Sequence, residues 1–161
     1  MLRGEMSSGS ASPSIERGSH PVLLYDGVCG FCNWSVQFVL KRDPGGIFRF
    51  ASLQSGLAHR VLARHAVNAA DLNAAYVVLG YDPDRTDGTN ETVLARSDAV
   101  LFVARQLGGI WTLGAGILRV VPRGIRDWAY GVFLRYRYRV FGKFDACPLP
   151  SEETRARFLD V

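Results

Sequence analysis

An α/β domain, with a mixed sheet of about four strands, flanking helices and a helical C-terminal portion, is the fold class this sequence predicts. Three observations carry it. The segments Val22–Tyr25, Ile47–Ala51 and Ala75–Tyr81 have strand length and a largely apolar, β-branched or aromatic make-up. Between the first two, Cys32, Val36, Val39 and Leu40 repeat at the spacing of one helix face, until Pro44-Gly45-Gly46 stops the helix. After the third, the turn formers from Asp82 to Asn90 return Thr92–Ala95 as an antiparallel partner. A strand, a helix and a second strand within roughly 30 residues form a βαβ unit, whose strands run parallel. A hairpin added to that unit makes the sheet mixed.

The remaining elements follow in order. Ser55-Gly56 leads into a helix over Leu57–Ala66, with Leu57, Val61, Leu62 and His65 on one face. Ser97 or Asp98 is expected to cap a helix with the stripe Val100, Leu101, Val103, Ala104 and Leu107, ended by Gly108-Gly109. The order β-α-β-α-β-β-α is that of the thioredoxin fold, with helices on both sheet faces. Ile110–Val121 is apolar and broken by glycines, which suggests a short helix. Pro122 separates it from a longer helix over Ile125–Phe141, which Gly142 stops. Phe144 to Pro150 is an extended or turn segment, because prolines bias their neighbours away from helix, and Ser151-Glu152-Glu153 opens a last short helix.

At 161 residues the chain has the length of one domain and does not need disulfides to fold. We expect a single domain over 20–161, preceded by a disordered tail at 1–19 that is rich in Ser and Gly and lacks the apolar core of a signal peptide. Three cysteines are too few, and an odd number, for a secreted disulfide scaffold. The longest uncharged apolar segment, Gln106–Leu118, is too short to cross a bilayer as a helix, so no transmembrane segment is expected. The expected compartment is the cytoplasm, where thiols are kept reduced. The formal charge is only +4, but Ile117 to Lys143 carries seven cations against the single acid Asp127.

The chemistry centres on Asp26-Gly27-Val28-Cys29-Gly30-Phe31-Cys32. Two cysteines three apart on a first helical turn share a face, so their sulfurs can meet. The unpaired N–H groups and dipole of a helix N-terminus favour the thiolate, the nucleophile of disulfide exchange. Cys29 is nearer the helix end and is expected to attack; Cys32, on the apolar stripe, is expected to resolve the mixed disulfide. Asp26 can cap the helix, the simpler reading, or accept the proton that Cys32 loses. No organic cofactor and no metal is required. An aspartyl phosphatase would need a second acid two residues after Asp26, and that position is Val28. A zinc site would need a second ligand pair, which Cys147, His20, His59 and His65 do not form by spacing. Cys147 reads either as a buried small residue or as an alternative resolving thiol.

Arg135-Tyr136-Arg137-Tyr138-Arg139 interleaves cations and aromatics as nucleic-acid binders do. A helix spreads those residues around its circumference, and Arg stacking on Tyr inside the protein explains them as economically. Nucleic acid is therefore disfavoured, while an acidic partner or peripheral contact with a membrane surface suits the local charge.

These residues resemble the DCC family of predicted thiol-disulfide oxidoreductases, named for its Asp-x-x-Cys-x-x-Cys motif, here Asp26, Cys29 and Cys32. The resemblance extends through Asn33, Ser97-Asp98-Ala99-Val100, Leu107-Gly108-Gly109 and Pro122 to Tyr136-Arg137, Phe141-Gly142-Lys143 and Asp145-Ala146-Cys147-Pro148. It implies a thioredoxin-like fold, a dithiol site at Cys29 and Cys32, and Asp26 as the third signature residue. Cys147, Arg137 and Asp145 look like parts of the family's C-terminal pattern. The chain departs from thioredoxins proper in having no proline just before the Ala75 strand, where a cis-proline would face the dithiol. Two functions are thus expected as alternatives. One is a dithiol oxidoreductase acting on a disulfide-containing protein or small thiol, recycled by a separate reductant. The other is a non-catalytic protein whose basic C-terminal half binds an acidic partner or membrane.

Overall fold

The computed structural model describes residues 19–67, 74–85, 87–145 and 150–160. The central strand β1 (Val22–Tyr25) is buried on both faces, as its unbroken apolar run requires. Successive strand side chains alternate, so Leu23 and Tyr25 join one core and Val22 and Leu24 the other. The chain continues through α1 (Gly30–Arg42), β2 (Arg49–Ser52), α2 (Gly56–Arg64), β3 (Tyr76–Leu79), β4 (Thr92–Ala95), α3 (Arg96–Leu107), α4 (Gly109–Val120), α5 (Arg123–Phe141) and α6 (Glu152–Arg155). Among the described residues the sheet has the order β2-β1-β3-β4. β1 and β2 are parallel, and the β1/β3 and β3/β4 pairs are antiparallel. This is the mixed sheet and thioredoxin-like order expected from the sequence.

The helices divide between the faces. Val36 and Val39 of α1 and Ala99 and Phe102 of α3 pack with Leu23, Tyr25 and Val77. Ala58, Val61 and Leu62 of α2 pack on the other side with Val22, Leu24 and Val78. Since α1 leaves the end of β1 directly, its first turn stands over the C-terminal edge of the central strand, where the cysteines lie.

Several local expectations are corrected. α3 begins at Arg96 with Ala95 at its cap position, and neither Ser97 nor Asp98 caps it. Ser97 Oγ instead donates to Asp127 Oδ1 of α5 at 2.5 Å, and Asp98 pairs with Arg123 at 3.1 Å and Arg126 at 3.4 Å. The polar residues at this helix start tie α3 to α5. The helix expected over Ile110–Val121 is present as α4, shifted by one residue at each end; packing on α3 outweighs a cost of roughly 1 kcal/mol for each of Gly114 and Gly116. Beyond α6 the chain lies along the outer edge of β2. Phe50 N donates to Arg157 O at 2.8 Å, and Leu159 N to Phe50 O at 2.9 Å. Phe158 enters the core, and an ion pair from Arg157 to Asp43 anchors the segment. An otherwise open sheet edge is thereby covered.

Candidate active site

Helix α1 begins at Gly30, with Cys29 as its N-cap. The Cys29 backbone is extended (φ −85°, ψ 122°), and its Sγ accepts the N–H of Cys32 at 3.3 Å. A sulfur thus occupies the position where a capping oxygen usually sits. Asn33 braces the turn by donating to the carbonyls of Gly27 at 2.7 Å and Cys29 at 3.0 Å. The segment after α5 then lies across it: Phe144 N donates to Val28 O at 2.7 Å, and Gly30 N to Gly142 O at 3.3 Å. Gly30 permits this approach, because a Cβ there would lie 2.3 Å from the carbonyl oxygen of Phe141. Beneath this strap Cys29 is 0 % exposed, whereas Cys32 is only half-buried. The order of exposure is the reverse of the one expected from distance along the helix.

Asp26 does not cap α1; that role belongs to Cys29. The buried carboxylate is held from four sides. Oδ2 accepts from Arg137 Nη2 at 2.8 Å and from the Tyr138 hydroxyl. Oδ1 accepts from Gln54 Nε2 at 2.9 Å and from Val28 N at 3.2 Å. The Asp26 and Arg137 side chains are each 1 % exposed. Arg137 therefore leaves the surface set to which its neighbours Arg135 and Arg139 belong, and its guanidinium lies 4.5 Å from the centre of the Tyr138 ring, the internal stacking that the sequence allowed.

The electrostatics separate the two thiols. Cys29 is brought down to about 6, chiefly by the hydrogen bond from the Cys32 thiol, against burial, with help from the Cys32 N–H and the Arg137 charge. Cys32 is pushed up by the same hydrogen bond and by burial. The two shifts favour a thiolate on Cys29 over one on Cys32, which is placed to donate its proton toward Cys29. Asp26 opposes the thiolate, and Arg137 supports it.

Cys32 also borders a cavity of about 360 Å³ between α1, α3 and α5, with an almost wholly apolar lining. The position before β3 is Ala75, whose N–H donates to the Tyr130 hydroxyl at 2.9 Å and whose carbonyl accepts from Arg96 N at 3.1 Å. Burial raises the Tyr130 phenol. Asp145 is exposed, and Cys147 lies outside the described residues. Among the described residues no group of three or more His, Cys, Asp or Glu side chains is placed to hold a metal ion.

The model of the DCC1-like thiol-disulfide oxidoreductase family matches residues 23–143, from β1 through the strap over Cys29. The chain belongs to this family. Among DCC relatives, the "Uncharacterized protein YuxK" of Bacillus subtilis (strain 168) is 38 % identical over 138 residues, covering 86 % of this chain and 93 % of that protein. The "DCC family protein At1g52590, chloroplastic" of Arabidopsis thaliana is 30 % identical over 138 residues, covering 86 % of this chain and 74 % of its own length. No solved structure gives a significant match. The DCC signature thus maps onto a single site, with Asp26 beneath the dithiol rather than on its helix.

Gln54, Tyr138 and Tyr130 were not singled out as site residues from the sequence. For α5 a signal was present: Tyr130, Leu134 and Arg137 recur at i, i+4 and i+7, so one inward face carries a Tyr and an Arg. Gln54 carried none, because its place beside Asp26 follows from the pairing of β2 with β1.

Proposed function

We propose that this DCC chain is a thiol-disulfide oxidoreductase whose Cys29 and Cys32 alternate between dithiol and disulfide. The observation that carries the reading is the capping geometry: a sulfur at the helix N-terminus accepts the N–H of Cys32, above a buried Asp26–Arg137 pair. That arrangement stabilises a thiolate on Cys29, which closes the disulfide with Cys32 as the pair is oxidised and departs readily as it is reduced again. Each turn passes two electrons from the dithiol to a substrate disulfide, giving two thiols and an intramolecular Cys29–Cys32 disulfide. A separate dithiol reductant, in the cytoplasm, restores the pair. The direct test is a redox titration against glutathione with both cysteine-to-serine variants. The pair should titrate as a two-electron couple, and Cys29→Ser should abolish turnover of a disulfide substrate. Full turnover by that variant, or a pair that cannot be oxidised in the folded chain, sinks the reading.

A second reading, compatible with the first, is peripheral binding to an anionic membrane surface, favoured by the outer faces of α4 and α5. Ile110, Leu113, Ile117 and Val120 recur at i, i+3, i+7 and i+10 on α4, and all are exposed, Val120 by 85 %. They lie opposite Ala115, which packs against the body. On α5, Ile125, Trp128, Val132 and Tyr136 form a like stripe, with Arg135 and Arg139 exposed beside it. An apolar stripe flanked by cations is the pattern of an interfacial helix. The same charge would repel a second copy of the chain. Among the described residues no helix is long and apolar enough to cross a membrane. Sedimentation with phosphatidylglycerol vesicles should carry the chain down, and salt or Ile117→Glu should release it. Equal sedimentation with phosphatidylcholine alone, or none with either, refutes this reading.

A further inference from the structure

The cavity beside Cys32 is lined by the rings of Phe31, Phe38 and Phe133 together with Val103, Ala104 and Leu107. Trp34 and Trp111, which also line it, are 59 % and 40 % exposed and form its rim. Its polar elements sit at the inner end, where Asp26, Arg137 and Tyr130 border it together with Cys32. Cys29 does not line it. At about 360 Å³ it falls in the range of small-molecule sites.

From this we infer that the cavity is the substrate site for a neutral, apolar, low-molecular-weight disulfide of aryl or alkyl type, which exchanges first at Cys32. The inference rests on the redox reading above and names its substrate class. Two observations favour a small molecule over an extended peptide. The backbone N–H and carbonyl of Ala75, which also borders the cavity, are already engaged by Tyr130 and Arg96. The strap from Gly142 to Phe144 covers Cys29, so the sulfur within reach is Cys32. A charged substrate would lose its hydration among the aromatic rings that it must pass to reach Cys32.

The exchange balances as follows. As Cys32 attacks one sulfur of RSSR, its bridging proton shifts to Cys29. The R–S–S–R bond breaks, a Cys32–S–S–R bond forms, and RS⁻ leaves, taking the proton back from Cys29 as RSH. The Cys29 thiolate then attacks Cys32 Sγ, closing the Cys29–Cys32 disulfide and expelling the second RS⁻. The two electrons lost by the dithiol reside on the two released sulfurs.

The test compares diphenyl disulfide with glutathione disulfide as substrates of the native chain and of Ala104→Phe, which fills the cavity from α3. Filling should lower kcat/KM for diphenyl disulfide about tenfold or more and lower that for glutathione disulfide by a smaller factor. Neutral phenylnaphthylamine should bind the reduced native chain saturably, accept energy from Trp34 and Trp111, and be displaced by diphenyl disulfide. If Ala104→Phe fails to fold, Val103→Trp and this binding measurement decide. In Cys29→Ser, mass spectrometry should find the phenylthio adduct on Cys32. Turnover of both substrates unaffected by filling, without fluorophore binding, overturns the cavity inference and leaves the redox reading standing. Fluorophore binding with neither disulfide turned over overturns the redox reading, and the substrate class with it.

Discussion

Replacing Asp26 by asparagine removes a charge while keeping the shape of the side chain. In the native chain the carboxylate and the Arg137 guanidinium are 2.8 Å apart, with each side chain 1 % exposed. Asp26→Asn strands a buried cation, an arrangement that costs about 3–5 kcal/mol, a large part of a typical total of about 5–15 kcal/mol. For a chain of this length that corresponds to a fall in Tm of roughly 10 °C. The same substitution should move the neighbouring thiol. Asp26 raises the Cys29 pKa and Arg137 lowers it, so Asp26→Asn should bring Cys29 below its native value of about 6, and Arg137→Gln should take it above. Urea denaturation reads the first effect, and thiolate ultraviolet absorbance against pH reads the second. Both variants lose stability, yet their titrations should separate in opposite directions. A common direction of shift, or an Asp26→Asn chain within about 0.5 kcal/mol of native, the range of an ordinary surface change, would refute the electrostatic account.

The reduced chain should gain stability with rising pH. Cys29 falls from 9.0 when unfolded to about 6 when folded, so its contribution is fully present above pH 9 and is lost as the pH drops through about 6. Cys32 is raised, so above pH 9 the unfolded chain ionises a thiol that the folded chain does not, and stability should fall again. The oxidised chain lacks both thiols, and subtracting its stability curve should isolate this hump; a flat difference contradicts the assignment. The reduction potential should change slope with pH near the same point, from about 59 mV per unit below pH 6 to about 30 mV above it, as one of the two released protons drops out. A single slope across that point means Cys29 titrates elsewhere. Gly30→Ala should push the strap off the turn, since its Cβ would meet the Phe141 carbonyl. The expected cost is about 1–3 kcal/mol, with faster alkylation of Cys29 by iodoacetamide; an unchanged alkylation rate would count against the strap as its cover.

Much of the fold was legible because its determinants are local. The unbroken run of β1, the helical stripe ending at Pro44-Gly45-Gly46 and the turn formers before β4 each specify an element from neighbouring residues. The β-α-β-α-β-β-α order then specified the mixed sheet. The Cys29–Cys32 pair was legible for the same reason, since three residues of helix bring the sulfurs together. Helix caps were less so: Ser97 and Asp98 have capping chemistry, but packing of α3 on α5 engaged them elsewhere.

A strand, a turn and two cysteines on the first turn of a helix could thus be read from the chain directly, because those features depend on contacts a few residues apart. Which sulfur is covered, where Asp26 points and what lies beside Cys32 follow from long-range packing. Arg137 meets Asp26 across 111 positions of chain, and Phe144 closes over Val28. The long return of α5 sets both contacts, and no local spacing encodes a juxtaposition produced by packing. The signature aspartate is consequently a buried partner of an arginine from α5, and the charge that tunes Cys29 comes from the opposite end of the domain.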